Sequence, residues 1–148
     1  MTIEKLTPDK VDSYIELRIK QLLEEGASGD TDLRPALLDY CQRHMADGSF
    51  IGFIAVEDGR IIATGGLSIV EKPPWFSCPS GKFGILSSMY TLKEYRRQGI
   101  AREILKQIAD AARAASCGQL QITASDMGTL LYSDFGFVRS NNFMQYKL

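Results

Sequence analysis

The stretch Tyr95-Arg96-Arg97-Gln98-Gly99-Ile100-Ala101 joins an apolar, strand-like segment at residues 85–92 to an amphipathic, helix-like segment at residues 100–115. The first backbone N–H groups of a helix have no partner inside the helix, and they lie at the positive end of its dipole. Such groups bind phosphate, and the two arginines of the stretch, together with Arg102, add positive charge around them. The stretch therefore predicts an enzyme whose ligand carries a pyrophosphate.

The length and the charge balance limit the class of protein. The chain has 148 residues, the size of one domain (1–148), and its hydrophobic content of 45% is enough for a sizeable core. Its 17 basic and 18 acidic residues nearly cancel, whereas nucleic-acid-binding domains usually carry a strong basic excess. We therefore expect a single domain with no nucleic-acid partner.

Cysteine usage and the apolar runs indicate a cytoplasmic location. Cys41, Cys78 and Cys117 are far apart and include no CxxC pair, so neither a metal site nor a disulfide framework is predicted. Residues 1–10 lack the apolar core of a signal peptide, and no run of about 18 apolar residues occurs. We expect reduced thiols and no membrane contact.

The hydrophobic periodicity predicts a mixed α/β chain. Helical spacing of apolar residues favours helices at 7–25, 32–46, 100–116 and 126–133. Alternating or continuous apolar runs favour strands at 2–6, 49–57, 60–70, 85–92, 120–124 and 143–148. The Asp58-Gly59 pair between two of these runs indicates a hairpin. This order predicts a sheet with both antiparallel and parallel pairs.

Two motifs give the chain a family resemblance. Arg96, Gly99 and Ala101 fill the pattern R/Q-x-x-G-x-G/A, although Lys93 replaces a common proline before it. About thirty residues further on comes a second motif: Ala124, Ser125, Asp126, Met127 and Gly128, then Leu131 and Tyr132, then Phe135, Gly136 and Phe137. Together the motifs resemble the GNAT superfamily of N-acetyltransferases. The resemblance implies a mixed, mostly antiparallel sheet of about six or seven strands with helices on both faces, and it allows a homodimer.

The resemblance also implies acetyl-CoA as the donor and a primary amine of a small molecule or peptide as the acceptor. Backbone groups of three strand residues would hold the pantetheine arm: Met89, Tyr90 and Thr91. The pyrophosphate would lie against the turn, formed by Arg96, Arg97, Gln98, Gly99, Ile100, Ala101 and Arg102. The thioester would lie where the strand pair on either side of the cofactor separates.

Acetyl transfer needs an acid for the leaving thiolate and a base for the amine. Tyr132 matches the family's acid, because a phenol with a pKa near about 10 is protonated at neutral pH. Its alternative role is packing against Phe135 and Phe137. Glu71 is one candidate for the base, and a water chain is another.

The acceptor site has four candidate residues. Glu24 and Glu25 follow the first predicted helix, so they are further candidates for the base or would hold a cationic acceptor. Ser88 lies on the cofactor strand, and Trp75 belongs to a loop that could form a lid, an anchored loop or a subunit contact.

Three rival functions can be weighed from the sequence. A cysteine acyltransferase would use Cys78, or Cys41 with His44, but no local motif supports it. A Rossmann dinucleotide binder lacks its G-x-G-x-x-G after the first strand. A non-catalytic acetyl-CoA sensor of the same fold remains the alternative. We predict direct attack of the amine on the thioester, without an acetyl-enzyme, because no convincing nucleophile accompanies the turn.

Overall fold

A computed structural model describes residues 1–123, 126–140 and 142–148. Its strands are β1 (Thr2–Lys5), β2 (Phe50–Glu57), β3 (Arg60–Glu71), β4 (Lys82–Thr91) and β5 (Leu120–Gln121). Its helices are α1 (Val11–Glu24), α2 (Arg34–Ala46), α3 (Ile100–Ala114) and α4 (Asp126–Phe135). Short 3-10 turns at Pro8–Lys10 and Lys93–Tyr95 precede α1 and follow β4.

The strands form one sheet in the order β1-β2-β3-β4-β5. The first three pairs are antiparallel and β4 runs parallel to β5, so the predicted mixture of pairings is confirmed. The predicted hairpin is also present, with Asp58 at φ 50° and Gly59 at φ 74°. Both residues adopt the left-handed conformation that a tight two-residue hairpin requires.

The sheet has five strands in the described residues, not the expected six or seven. The missing element is the predicted closing strand at 143–148, where the described tail forms neither helix nor strand. Its alternating apolar residues satisfy the strand pattern, but a strand also needs a paired edge. The tail leaves Phe143, Tyr146 and Leu148 exposed to solvent.

Helices cover both faces of the sheet, as expected. On one face α1 and α2 build a core around Tyr14, Ile15 and Cys41. On the other face α3 builds a second core, and all of its predicted apolar stripe is buried: Ile100, Ile104, Leu105, Ile108 and Ala112. The sheet is thus enclosed between two apolar layers.

A bulge bends β4 near its end. Ser88 and Met89 together face the single residue Gly65 of β3, and Ser88 has φ 56°. The Thr64 hydroxyl donates a hydrogen bond of 2.6 Å to the Ser88 carbonyl and holds the bulge in place. A Cβ at Gly65 would lie 2.5 Å from Ile104, so only glycine lets α3 pack this closely. Bulges of this kind redirect backbone groups and are common beside active sites.

The edge of β4 is open beyond this point. In the described residues β5 pairs with β4 only at Gly84 and Ile85. Within the part of the chain that the structure describes, the segment 86–91 therefore has β3 on one side and no strand on the other. This edge leads directly to the turn before α3.

Candidate active site

The turn between β4 and α3 has the geometry that its sequence predicts. Gly99 caps α3 with φ 80°, and Arg97 also has a positive φ of 61°. The Glu103 N–H donates to the Gly99 carbonyl over 3.1 Å and starts the helical ladder. The N–H groups of residues 100–102 precede that bond and have no helical partner. Nothing in the described residues lies within 4 Å of a Cβ placed at Gly99, so the space in front of the turn is free.

The arginines of the turn have different roles. Arg96 is half-buried, and its Nε donates to the Thr91 carbonyl over 2.8 Å while its Nη2 pairs with Glu24 at 3.1 Å. This side chain therefore links the end of β4 to α1. It was expected to face the open side of the turn, and it does not. Arg97 and Arg102 are exposed beside the free N–H groups. They are two exposed cations beside the turn.

Glu24 is held by contacts within the protein. The Tyr90 hydroxyl donates to one of its oxygens over 2.7 Å, and Arg96 pairs with the other. The hydrogen bond from Tyr90 and the charge of Arg96 lower the pKa of Glu24, while burial and Glu24 raise the pKa of Tyr90 to about 12. Glu24 therefore joins α1 to β4, and it is not free to receive a cationic acceptor.

Gln21 is a site residue that the sequence analysis missed. Its side chain is 6% exposed, and its amide donates to the Met89 carbonyl and to Glu25, each over 3.2 Å. Arg18 donates to the amide oxygen over 3.0 Å. Gln21 lies seven positions after the buried Tyr14 and therefore on the same face of the helix. A polar residue on the buried face was the signal by which the sequence could have identified it. Gln21 positions the bulged strand against α1.

Tyr132 is buried on α4, with 7% of its surface exposed. Burial, and after it the charge of Glu25, raises the pKa of its phenol to about 12. Its ring makes an edge contact with Phe137 at 5.6 Å, so the predicted packing role is present as well. The phenol carries its proton at neutral pH, and Glu25 is the carboxylate that influences it.

Two predicted residues lie away from this cluster. Glu71 pairs with Lys82 at the opposite end of β4. Lys82 and Ser88 are six positions apart, which corresponds to about 20 Å along a strand. Trp75 packs its ring against Phe83 near that same end, with the Lys72 amine over it at 4.8 Å. The structure therefore does not bring Glu71 into the site, and it places Trp75 in an anchored loop.

A cavity of about 240 Å³ opens between α1, α2 and the sheet. Ser88 lies at one side of it, so the cavity reaches the bulge from the face that carries α1 and α2. Its walls are mainly aromatic and hydroxyl-bearing: Tyr14, Ile15, Arg18, Leu37, Tyr40, Cys41, Phe50, Ser68, Ser87 and Ser88. The Tyr40 and Ser68 hydroxyls bond each other over 2.8 Å. The predicted substrate-site residue Ser88 thus connects the bulge of β4 with this cavity.

The geometry does not support the cysteine rival. Cys41 is buried and burial raises the pKa of its thiol, while His44 bonds Ser49 through Nδ1 over 2.6 Å. Cys78 is fully buried and donates to the Lys82 carbonyl over 3.2 Å. In the described part of the chain no cluster of three metal-ligating side chains occurs either. The site therefore offers no activated thiol.

Comparison with known proteins identifies the family. The profile of the Acetyltransferase (GNAT) family matches residues 14–137. The chain therefore belongs to the GNAT acetyltransferase family, and the resemblance seen in its two motifs is confirmed. Ala124 and Ser125 of the second motif lie outside the described residues, as do the side chains of Asp126 and Met127. Among curated proteins no sequence matches significantly.

Several solved structures are similar over nearly the whole chain. A protein from Clostridium acetobutylicum, described as a predicted acetyltransferase and crystallised with acetyl-CoA, is 25% identical with a TM-score of 0.95, covering 99% of this chain and 95% of its own. A GCN5-related N-acetyltransferase from Ralstonia eutropha is 23% identical with a TM-score of 0.90, covering 99% and 97%. Glucosamine-6-phosphate N-acetyltransferase from Arabidopsis thaliana is 17% identical with a TM-score of 0.74, covering 99% and 97%. The last two comparisons support the fold.

No helix in the described residues is both long enough and apolar enough to cross a bilayer.

Proposed function

We propose that this chain is an acetyl-CoA-dependent N-acetyltransferase that moves the acetyl group directly to a primary amine. The observation that carries the proposal is the open edge of β4, which leads into the unpaired N–H groups of the Gly99 turn. A pantetheine arm can add to that edge as a further strand would, while the turn receives the pyrophosphate. The acetyl-CoA bound to the Clostridium protein, which has the same fold, supports this choice of co-substrate.

The proposed cofactor contacts follow from this placement. Backbone groups of Met89, Tyr90 and Thr91 would hold the pantetheine, although the Met89 and Thr91 carbonyls already accept hydrogen bonds from Gln21 and Arg96. Arg97 and Arg102 would add their charges to the turn, whereas Arg96 acts by fastening β4 to α1. Since Gln21 and Glu24 also fix this end of β4, the strand is rigid before the cofactor arrives. A rigid edge lowers the ordering cost of binding.

The chemistry requires one bond to form and one to break. The lone pair of a neutral amine attacks the acetyl carbonyl carbon, a C–N bond forms, and the C–S bond then breaks to release the CoA thiolate. Tyr132 would donate a proton to the departing sulfur, and the proton lost by the amine nitrogen restores the phenol through solvent. A backbone N–H at the bulge, from Met89 or Tyr90, would stabilise the oxyanion. Such donors contribute about 3–4 kcal/mol.

The proton acceptor for the amine is best assigned to Glu25 or to water beside it. Glu25 lies at the end of α1, accepts a hydrogen bond from Gln21 and acts electrostatically on Tyr132. Glu71 is too distant along the sheet for this role, and Glu24 already has two partners. We therefore expect the base to operate from the end of α1.

The test measures acetyl-CoA binding by calorimetry and thiol release across a panel of amines. The expected result is binding together with amine-dependent release of CoA in proportion to N-acetylated product. Trapping an acetylated cysteine on the pathway would replace direct transfer with a two-step route. Tight binding without release for every amine would instead favour a sensor.

A further inference from the structure

We infer that the acceptor is a small amine that also carries a carboxylate and has an apolar body, in the class of apolar amino acids. This inference rests on the proposed function. The feature that supports it is the juxtaposition of Arg18 with the cavity at the Ser88 bulge.

The cavity carries one cation and no anion among its described lining residues. Arg18 is half-buried at its wall, and its only hydrogen bond in the described residues goes to the neutral Gln21 amide. No described carboxylate lies within 4.0 Å of its guanidinium nitrogens, although six ion pairs occur elsewhere in the described residues. A partly buried guanidinium without a counter-ion favours an anionic ligand and opposes a cationic one. Its planar donors match a carboxylate.

The other lining residues determine the size and the polarity of the ligand that the cavity can hold. Tyr14, Tyr40 and Phe50 form aromatic walls, with Phe50 in edge contact with both tyrosines. The volume of about 240 Å³ lies below the range of about 300–1,000 Å³ of sites for drug-sized ligands. An amino acid fits within this space, whereas a multi-ring aminoglycoside would have to extend out of it. The aromatic part of the wall favours an apolar body in contact with it.

The position of the cavity orients the ligand. Arg18 is linked through Gln21 to the Met89 carbonyl, so the cation is held at a fixed place relative to the bulged strand. A carboxylate on Arg18 leaves the amine of the same molecule free to approach Ser88 and the thioester. The two acidic residues at the end of α1 do not line the cavity: Glu24 is already paired, and Glu25, held by Gln21, would take the amine proton through water. Arg18 is therefore the residue that recognises the carboxylate of the acceptor.

The experiment uses matched amines and matched variants. L-Phenylalanine and phenylalaninamide differ in the carboxylate, and spermidine and an aminoglycoside represent cationic acceptors. Arg18→Gln removes the guanidinium charge, and Arg18→Lys retains a charge without the planar donors. Lys20→Gln is the control, because it removes one positive charge from an exposed position of the same helix that does not line the cavity.

We expect the native protein to prefer L-phenylalanine, and Arg18→Gln to raise KM for it by about ten- to hundredfold. KM for phenylalaninamide and the affinity for acetyl-CoA should stay within about twofold, and Lys20→Gln should resemble the native protein. Arg18→Lys should recover part of the loss. Calorimetric binding of N-acetylphenylalanine should follow the same order without any need for turnover.

Other outcomes separate the two proposals. Faster turnover of spermidine or the aminoglycoside, or an equal effect of Arg18→Gln on both phenylalanine derivatives, would overturn the acceptor class and leave the transferase intact. No thiol release with any amine would overturn the transferase proposal, and the acceptor class with it.

Discussion

At the scale of single residues, Tyr132 has the clearest chemical role to test. We expect Tyr132→Phe to lower kcat by about 10²-fold, because the mutant cannot donate a proton to the departing sulfur. The KM for acetyl-CoA should change little, since the proposed cofactor contacts come from β4 and the turn. Steady-state kinetics with varied acetyl-CoA measure both values. Tyr146→Phe, in the exposed tail, is the matched control. Unchanged kcat would leave Tyr132 with its packing role alone.

The pKa of Tyr132 leads to a prediction about pH. A phenol whose pKa is raised to about 12 stays protonated at every pH below that value, so its donor function is retained in alkaline solution. The acceptor amine, in contrast, becomes neutral as the pH rises. We expect kcat/KM to increase from about pH 6 and to show no alkaline decline below about pH 10. A descending limb near pH 8 would assign the acid to a different group.

Some residue roles could be predicted from the sequence and others could not. The difference is how far apart in the chain the interacting residues lie. Gly99 was selected by local pattern, and it lies at the start of α3 with a positive φ. The pairing of Arg96 with Glu24 joins residues 72 positions apart, which no local pattern encodes. Arg96 was therefore expected to face phosphate, and Glu24 a cationic acceptor. Arg18 was overlooked for the same reason, because its proposed role depends on its position in the wall of a cavity whose other residues are distant in the sequence.

At the scale of elements, the Gly99 turn can be tested against a second turn of the same backbone conformation. Gly99 and Gly59 have φ of 80° and 74°, and a Cβ at either meets no described atom within 4 Å. We expect Gly99→Val and Gly59→Val each to lose roughly 1–2 kcal/mol of stability through backbone strain. Only Gly99→Val should also weaken acetyl-CoA binding strongly, because its side chain occupies the phosphate space. Denaturant unfolding and calorimetry separate the two effects.

Equal acetyl-CoA affinities for these two variants would show that the turn does not receive the cofactor. Such a result would contradict the proposed function at its main support, even if the fold were unaffected.

Element types were largely predictable because the local signals agree with the packing. The stripe of α3 and the Asp58-Gly59 hairpin have the periods and turn residues that the structure requires. The bulge at Ser88 was not predictable, since a serine with positive φ is stabilised by the Thr64 hydroxyl and the Gly65 contact across the sheet. The prediction of a strand at 143–148 was wrong. Alternating apolar residues show that a segment can form a strand, but they do not show that a sheet edge is available to pair with it.

At the scale of the whole molecule, the tail 142–148 supports the expectation of a homodimer. Phe143, Met144, Tyr146 and Leu148 are between 77% and 110% exposed, which is unusual for a set of large apolar side chains. We expect a second copy of the chain to cover them. Replacing Phe143, Tyr146 and Leu148 by serine should convert the dimer to a monomer in analytical ultracentrifugation. Exposed Ile85, also apolar but outside the tail, is the control site. A native protein that sediments as a monomer would refute this expectation.

The short β5 has a consequence beyond catalysis. An uncovered strand edge is a template on which other chains can polymerise, so the empty protein is the form prone to aggregate. Acetyl-CoA lying along that edge would shield it, and at one hundred times its dissociation constant it would add about 2.7 kcal/mol to the free energy of unfolding. The amount of folded protein in a cell would then depend on the concentration of acetyl-CoA. A fall in acetyl-CoA would lower that amount without any separate regulatory protein.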